Sequence, residues 1–249
     1  MRHARTALIQ EFARSGQLRA SINLGNPILA GLPAGAVEPC GVSVDLARAF
    51  ARHLGVALQL VVFDAAGKAA QALAAGAVDI GFLAIDPQRA SAIRFTPPYV
   101  HIEGSYLVRA GSPIVSHAQV DLPGVRVMVG AASAYDLHLA RTLRQASIVR
   151  APTSPAVVDS FLAQQVEVAA GVRQQLEADA RRLGGLRLLD GGFMTIRQAV
   201  GIPRHYSDAA LHCLSTFVED MKRGGCVADS LARHRIDGAS VAPLAPETI

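Results

Sequence analysis

The sequence predicts an α/β protein built on mainly parallel sheet. Three observations carry that expectation. Strand-like and helix-like stretches alternate along most of the 249 residues. The strand from Val78 to Ala84 is apolar almost throughout, as a strand covered on both faces should be. Two extended crossings, near residues 100 and 192, lack the crossover helix that follows most other strands.

Thr6 to Arg14 reads as a helix and Leu18 to Leu24 as a strand, followed by a Gly/Pro-rich loop to Gly41. Ser43 is placed to cap the next helix, Asp45 suits its first turn, and Leu46, Phe50 and Leu54 recur every fourth residue until Gly55. Val56, Leu58, Leu60 and Val62 alternate as in a strand, and Gly67 to Ala75 is a short helix stopped by Gly76. Asp86-Pro87 is an N-cap with proline at the first helical position. Arg89 therefore lies just past the C-terminal end of a parallel strand, where open α/β sheets bind ligands. By position alone, a surface arginine paired with a carboxylate is an equal reading. Pro97-Pro98 stiffens an extended exit into a long strand from Tyr99 to Val108.

The alternation then restarts. Strands are expected at Val125 to Val129, Ile148-Val149, Val166 to Val172 and Leu186 to Leu189. Helices begin at Ser133, with Asp136 in the capping-box position, at Ser154-Pro155 and at Arg173. Phe193 to Ile202 is extended, and helices from Ser207 to Arg223 and Val227 to Arg235 close the chain. A middle unit, 102–192, is thus inserted into a first unit made of 1–101 and 193–249.

Composition bounds the function. The chain is 51% apolar and 18% charged, so it can fold around a substantial core. Net charge is +4, but the basic residues are dispersed without interleaved aromatics, which argues against nucleic acid. Only Lys68 and Lys222 of the 24 basic residues are lysines, which leaves each as chance or as a place that wants a compact ammonium. Cys40, Cys213 and Cys226 are far apart, show no zinc or disulfide spacing, and read as small buried side chains. The start lacks the apolar run of a secretory signal, and no stretch is long enough to span a membrane.

Several stretches, taken in order, resemble the type II periplasmic solute-binding proteins of the polar amino-acid class, family 3. These are "GVSVDLARAFARHLGV", "ALAAGAVDI", "DPQRASAIRFTPPY" and "LPGVRVMVGAAS", and the likeness runs from Leu18 to Ile236. The resemblance implies a two-lobed fold, each lobe a mainly parallel sheet flanked by helices, with two extended hinge crossings. It implies the substrate-binding component of an ABC transporter, a membrane permease as partner, a small carboxylate-bearing ligand, a monomer, and no cofactor or metal. It places the chain in the periplasm, while the missing signal leaves the cytoplasm open. Arg89 corresponds to the family arginine that forks onto the ligand carboxylate, a geometry suited to a planar guanidinium. Ser133 falls where the second lobe offers a hydroxyl and free amides, and plain capping is compatible with that role.

This sequence also departs from the family pattern. Where the family places an ammonium-binding Asp, Val172 and Arg173 stand instead, and the stacking aromatic is replaced by Ala66, beside Lys68. The Thr of the arginine motif is Asp86, and "FLAI" replaces the usual hydroxyl residues before it. Candidate ligand-binding residues are therefore Arg89, Ser133, Lys68, Asn26, Arg173 and Glu103, with Asp86 or Glu103 the acids able to replace the missing Asp. Lys68, Arg89 and Arg173 together favour an organic acid, or an amino-acid derivative with a masked or distant amine, over a zwitterion. The weighed alternative is a cyclohexadienyl dehydratase on the same fold, which needs a carboxyl general acid such as Glu103 or Glu167. A LysR-type effector domain is disfavoured, since the first 17 residues cannot hold a helix-turn-helix.

Overall fold

A computed structural model describes residues 2–246, with side chains from residue 6 onward. The expected outer limits at 1 and 249 lie outside the described residues. Helix α1 (Arg2–Phe12) precedes β1 (Gln17–Asn23), α2 (Val42–Leu54), β2 (Ala57–Phe63), α3 (Ala66–Ala74), β3 (Ile80–Ala84), α4 (Pro87–Ala90) and β4 (Ile93–Phe95). The long β5 (Val100–Arg109) leads to β6 (Arg126–Gly130), α5 (Ala134–Thr142), β7 (Ser147–Ala151), α6 (Val157–Ala163), β8 (Val168–Val172), α7 (Arg173–Leu183) and β9 (Leu186–Leu188). A second long strand, β10 (Met194–Pro203), precedes α8 (Asp208–Arg223), α9 (Cys226–Arg233) and β11 (Ser240–Val241).

The strands form one curled sheet in the order β2-β1-β3-β10-β5-β8-β6-β7, with β4 beside β10 and both β9 and β11 beside β5. Strand β1 pairs in parallel with β2 and β3, and β6 in parallel with β7 and β8, as βαβ crossovers require. Between these groups lie β5 and β10, antiparallel to each other from Met194↔Gly104 to Gln198↔Val100. Each changes partner midway. From Gln198 onward β10 pairs with β3, and from Gly104 onward β5 pairs with β8. These are the two extended crossings of the sequence, and they join two parallel groups whose strand ends converge.

Local chemistry explains most boundaries. Asp86 accepts from Gln88 N at 2.8 Å and Pro87 occupies the first turn, so α4 starts where the Asp-Pro pair places it. Ser133 accepts from Asp136 N at 3.0 Å. The Asp136 side chain accepts instead from Ala132 N at 2.8 Å, one residue short of a reciprocal capping box. Helix α2 begins two residues earlier than a Ser43 cap would give. Gly41 is its cap, at φ 123°, and a Cβ there would come within 2.5 Å of Leu29 O. Ser43 is buried instead, 3.4 Å from the Tyr99 hydroxyl. Helix α6 starts at Val157 rather than at Ser154-Pro155.

The core under the first parallel group is aromatic. Phe50 meets Phe12 edge-on at 5.0 Å between ring centroids, and Phe217 lies 5.0 Å from Phe50 on its other side. Lys222 is buried against this half, with its ammonium donating to Pro98 O at 3.0 Å and Pro243 O at 2.9 Å and lying 2.6 Å from Glu219. Cys226 departs from its expected burial and is exposed, because it opens α9 rather than facing the core. Among the described residues no helix is long and apolar enough to cross a membrane.

Candidate functional site

The C-terminal ends of parallel strands from both groups meet at a cavity of about 40 Å³. From the first group come Asn23 at the end of β1, Asn26 beyond it, Ala66 at the start of α3, Leu83 and Ala84 of β3, and Arg89. The second group supplies Ser133, Ala134, Tyr135, Ser154 and Val172, while Ile196 and Gln198 of β10 form the floor between them. Parallel sheets place strand ends, loops and helix starts at one edge, and two such edges facing each other enclose this space.

Arg89 is the dominant charge here. It is only 7% exposed, and burial lowers its pKa to about 10, with nearby Asp86 opposing that shift. Its guanidinium donates to Ala84 O at 3.0 Å and to Ala132 O at 2.9 Å, and no carboxylate pairs with it among the described residues. Two carbonyls leave donors of the five-donor fork unused. A buried cation held by carbonyl oxygens alone is under-compensated, and an anion in the cavity would correct that.

The opposite wall is built of hydroxyls. Ser133 is 3% exposed at the start of α5, and Ala134 and Tyr135, the first residues of that helix, also line the cavity. Burial raises the Tyr135 phenol, and hydrogen bonds with Ser154 and Ser133 partly offset this. Gly130 permits the arrangement, since a Cβ there would lie 2.8 Å from Ser154. Asn26 contributes a different signal. Its Oδ1 is shielded and has no hydrogen-bond partner among the described residues.

Of the sequence candidates, Arg89, Ser133 and Asn26 come together around this cavity. Lys68, Arg173 and Glu103 do not. Lys68 has a side chain 63% exposed and pairs with Asp64 at 2.8 Å, because the i,i+4 partner one turn earlier draws the ammonium outward. Arg173 forms an ion pair with Glu103 and donates to Gly191 O at 2.9 Å, so each satisfies the other away from the cavity. Asp86 is likewise committed, to Gln88 N and to Arg141 at 2.5 Å. Glu167 pairs with Arg126 at 2.8 Å. Among the described residues, no carboxyl group lines the cavity. The expected trio of cations reduces to one. Ala66 and Val172, at two of the positions where the family pattern is broken, are both in the wall.

Sequence reasoning did not find Asn23, Tyr135, Ser154 or Gln198. The first ends β1 and the third follows β7, so the rule that ligands meet strand C-termini was a usable signal for them. Tyr135 and Gln198 carried none, since a helical Tyr and a strand Gln are ordinary residues until the fold brings them together. No group of three or more His, Cys, Asp or Glu suited to a metal occurs among the described residues.

A curled α/β sheet with a cavity between two sets of parallel strand ends is the type II periplasmic-binding-protein fold. The chain belongs to the bacterial extracellular solute-binding proteins, family 3, whose profile matches residues 32–234. A search of curated proteins found no significant match. Among solved structures, the chain is similar to the solute receptor for L-cysteine of Neisseria gonorrhoeae, at 17% identity and TM-score 0.79, covering 92% of this chain and 94% of that one. A mutant of ArgBP from T. maritima matches at 19% identity and TM-score 0.78, over 92% of this chain and 99% of that one. An ancestral amino acid-binding protein described as a precursor of cyclohexadienyl dehydratase matches at 20% identity and TM-score 0.75, over 90% and 98%. At these identities the likeness is one of fold.

Proposed function

We propose that this chain is the substrate-binding component of an ABC-type uptake system, delivering a small carboxylate-bearing ligand to a membrane permease from the periplasm. Two lobes, 1–101 with 193–249 and 102–192, close over the ligand by bending at β5 and β10. The observation that carries this reading is Arg89, a buried cation that lines the cavity without a carboxylate partner. Its fork takes the carboxylate, and Ser133 with the first turn of α5 takes it from the other side. Family membership and the neighbours' fold support the transport role.

The dehydratase alternative has less support, since Glu103 and Glu167 are both tied to arginines outside the cavity. Native mass spectrometry of the purified protein should first identify a retained ligand. Arg89→Ala should then weaken its binding by at least about 100-fold, because a buried charge pair loses one partner. A change within a few-fold, in a variant with an unchanged melting profile, places Arg89 outside the site and ends this reading.

A further inference from the structure

The charge balance of the cavity narrows the ligand class, given the reading that Arg89 binds a carboxylate. Arg89 contributes one positive charge, and no acid among the lining residues offsets it. The acids flanking the lining residues are already committed, Asp64 to Lys68, Asp86 to Arg141 and Asp136 to Arg150, as is Glu103 to Arg173. A zwitterion would bring its own carboxylate but also an ammonium, leaving the closed cavity with an uncompensated positive charge. A monoanion would leave it neutral.

The second constraint is the Asn26 Oδ1, which is shielded and unpartnered. A buried acceptor is satisfied only by a donor, so the ligand should bring one. Apart from Arg89 the wall is neutral: the amides of Asn23 and Gln198, the hydroxyls of Tyr135, Ser133 and Ser154, and the methyl groups of Ala66 and Val172. Size is the third constraint. A volume of about 40 Å³ has room for about three or four water-sized groups.

We infer that the ligand is a short-chain hydroxy monocarboxylate, with its carboxylate on Arg89 and its hydroxyl donating to Asn26 Oδ1 once that amide turns from its shielded position into the cavity. A standard amino acid is the wrong charge for this cavity. Matched probes test this directly: lactate, alanine and propionate share a three-carbon frame and differ in carrying a hydroxyl, an ammonium or neither. Calorimetric titration of the full chain with both enantiomers of the chiral probes, and with glycolate as a smaller acid, reads the preference.

One lactate enantiomer or glycolate should bind about 10-fold tighter than propionate, since the analogue leaves the buried acceptor unpaired. Alanine should bind weaker still. Asn26→Ala should bring lactate to the level of propionate, and Asn26→Asp should shift preference toward alanine by restoring an anionic acceptor. Alanine binding as tightly as the best hydroxy acid overturns the inference while leaving the carboxylate reading intact. Propionate equal to lactate overturns it too, since the hydroxyl then adds nothing, and again leaves the carboxylate reading intact. If neither acid nor amino acid binds, or if Arg89→Ala binds the preferred probe normally, the carboxylate reading falls as well.

Discussion

At the scale of single residues, one close approach bears on the proposed closure. Gly67, in the first turn of α3, faces Ala132, in the loop after β6, and a Cβ on Gly67 would lie 2.7 Å from the Ala132 Cβ. No other atom outside its own neighbourhood comes within 4 Å of that added carbon. Ala132 itself sits at φ 56°, a left-handed conformation that usually falls to glycine, and its carbonyl receives Arg89. Gly67→Ala should therefore obstruct closure and weaken ligand binding by about 10-fold through overpacking. The melting temperature of the free protein should not fall, since Ala suits a helix better than Gly. Adding Ala132→Gly removes the opposing methyl and should restore binding. A double variant as weak as the single one would assign the loss to something other than this contact. Lysine use has a similarly local explanation: the Lys222 ammonium donates to two loop carbonyls and forms an ion pair with Glu219, which pins the proline corner to the C-terminal segment. Lys68 has no such demand on it.

Between elements, two ion pairs make measurable claims. Asp86 at the cap of α4 and Arg141 of α5 join the two parallel groups beside the cavity, with Asp86 buried and Arg141 half-exposed. Arg141→Ala should weaken ligand binding by about 5-fold, mainly through faster release, with an effect that shrinks in high salt. An unchanged release rate would show that this pair does not hold the closed form. On the far side, Asp45 of α2 accepts from Ser230 at 2.6 Å, Arg233 at 2.9 Å and His234 at 2.9 Å, clamping the end of α9. Burial pushes the Asp45 carboxyl up, but the bonds from Ser230 and His234 and the charges of His234 and Arg233 carry it below the usual range. A depressed carboxylate stabilises the fold above its unfolded pKa of about 3.9, and that contribution is lost as pH falls through the folded value. Asp45→Asn should thus melt lower than the parent at neutral pH, with the gap closing below about pH 4. A gap constant with pH would mean that the clamp works by shape and not by charge.

For the molecule as a whole, the prediction is compaction. The two parallel groups are joined by the β5–β10 pair and meet across the cavity through Arg89, Asp86 and Gly67. The proposed closure places the bend in these two extended strands. Small-angle scattering should give a smaller radius of gyration when ligand is added, and Gly67→Ala should diminish that change. Identical curves with and without saturating ligand would make the chain a rigid body and remove closure from the mechanism.

The sequence by itself determined the alternation of elements, the two crossings, the cap at Asp86 and the position of Arg89 at a strand end. These depend on neighbours within a few residues: apolar period, proline at a first turn, a hydroxyl before a helix. Ser133 and Asn26 were legible for the same reason, since both follow parallel strands. Only the tertiary structure decided which charges stay in the cavity. Lys68, Arg173 and Glu103 looked equally placed along the chain, yet Asp64 draws one away and the other two neutralise each other. Partner choice among charges is set by distances between residues far apart in sequence: Glu103 and Arg173 belong to different elements, as do Asp86 and Arg141. Tyr135 and Gln198 entered the wall for that reason too. A periodicity reports which face of an element is buried, whereas the chemistry of a cavity depends on which faces meet.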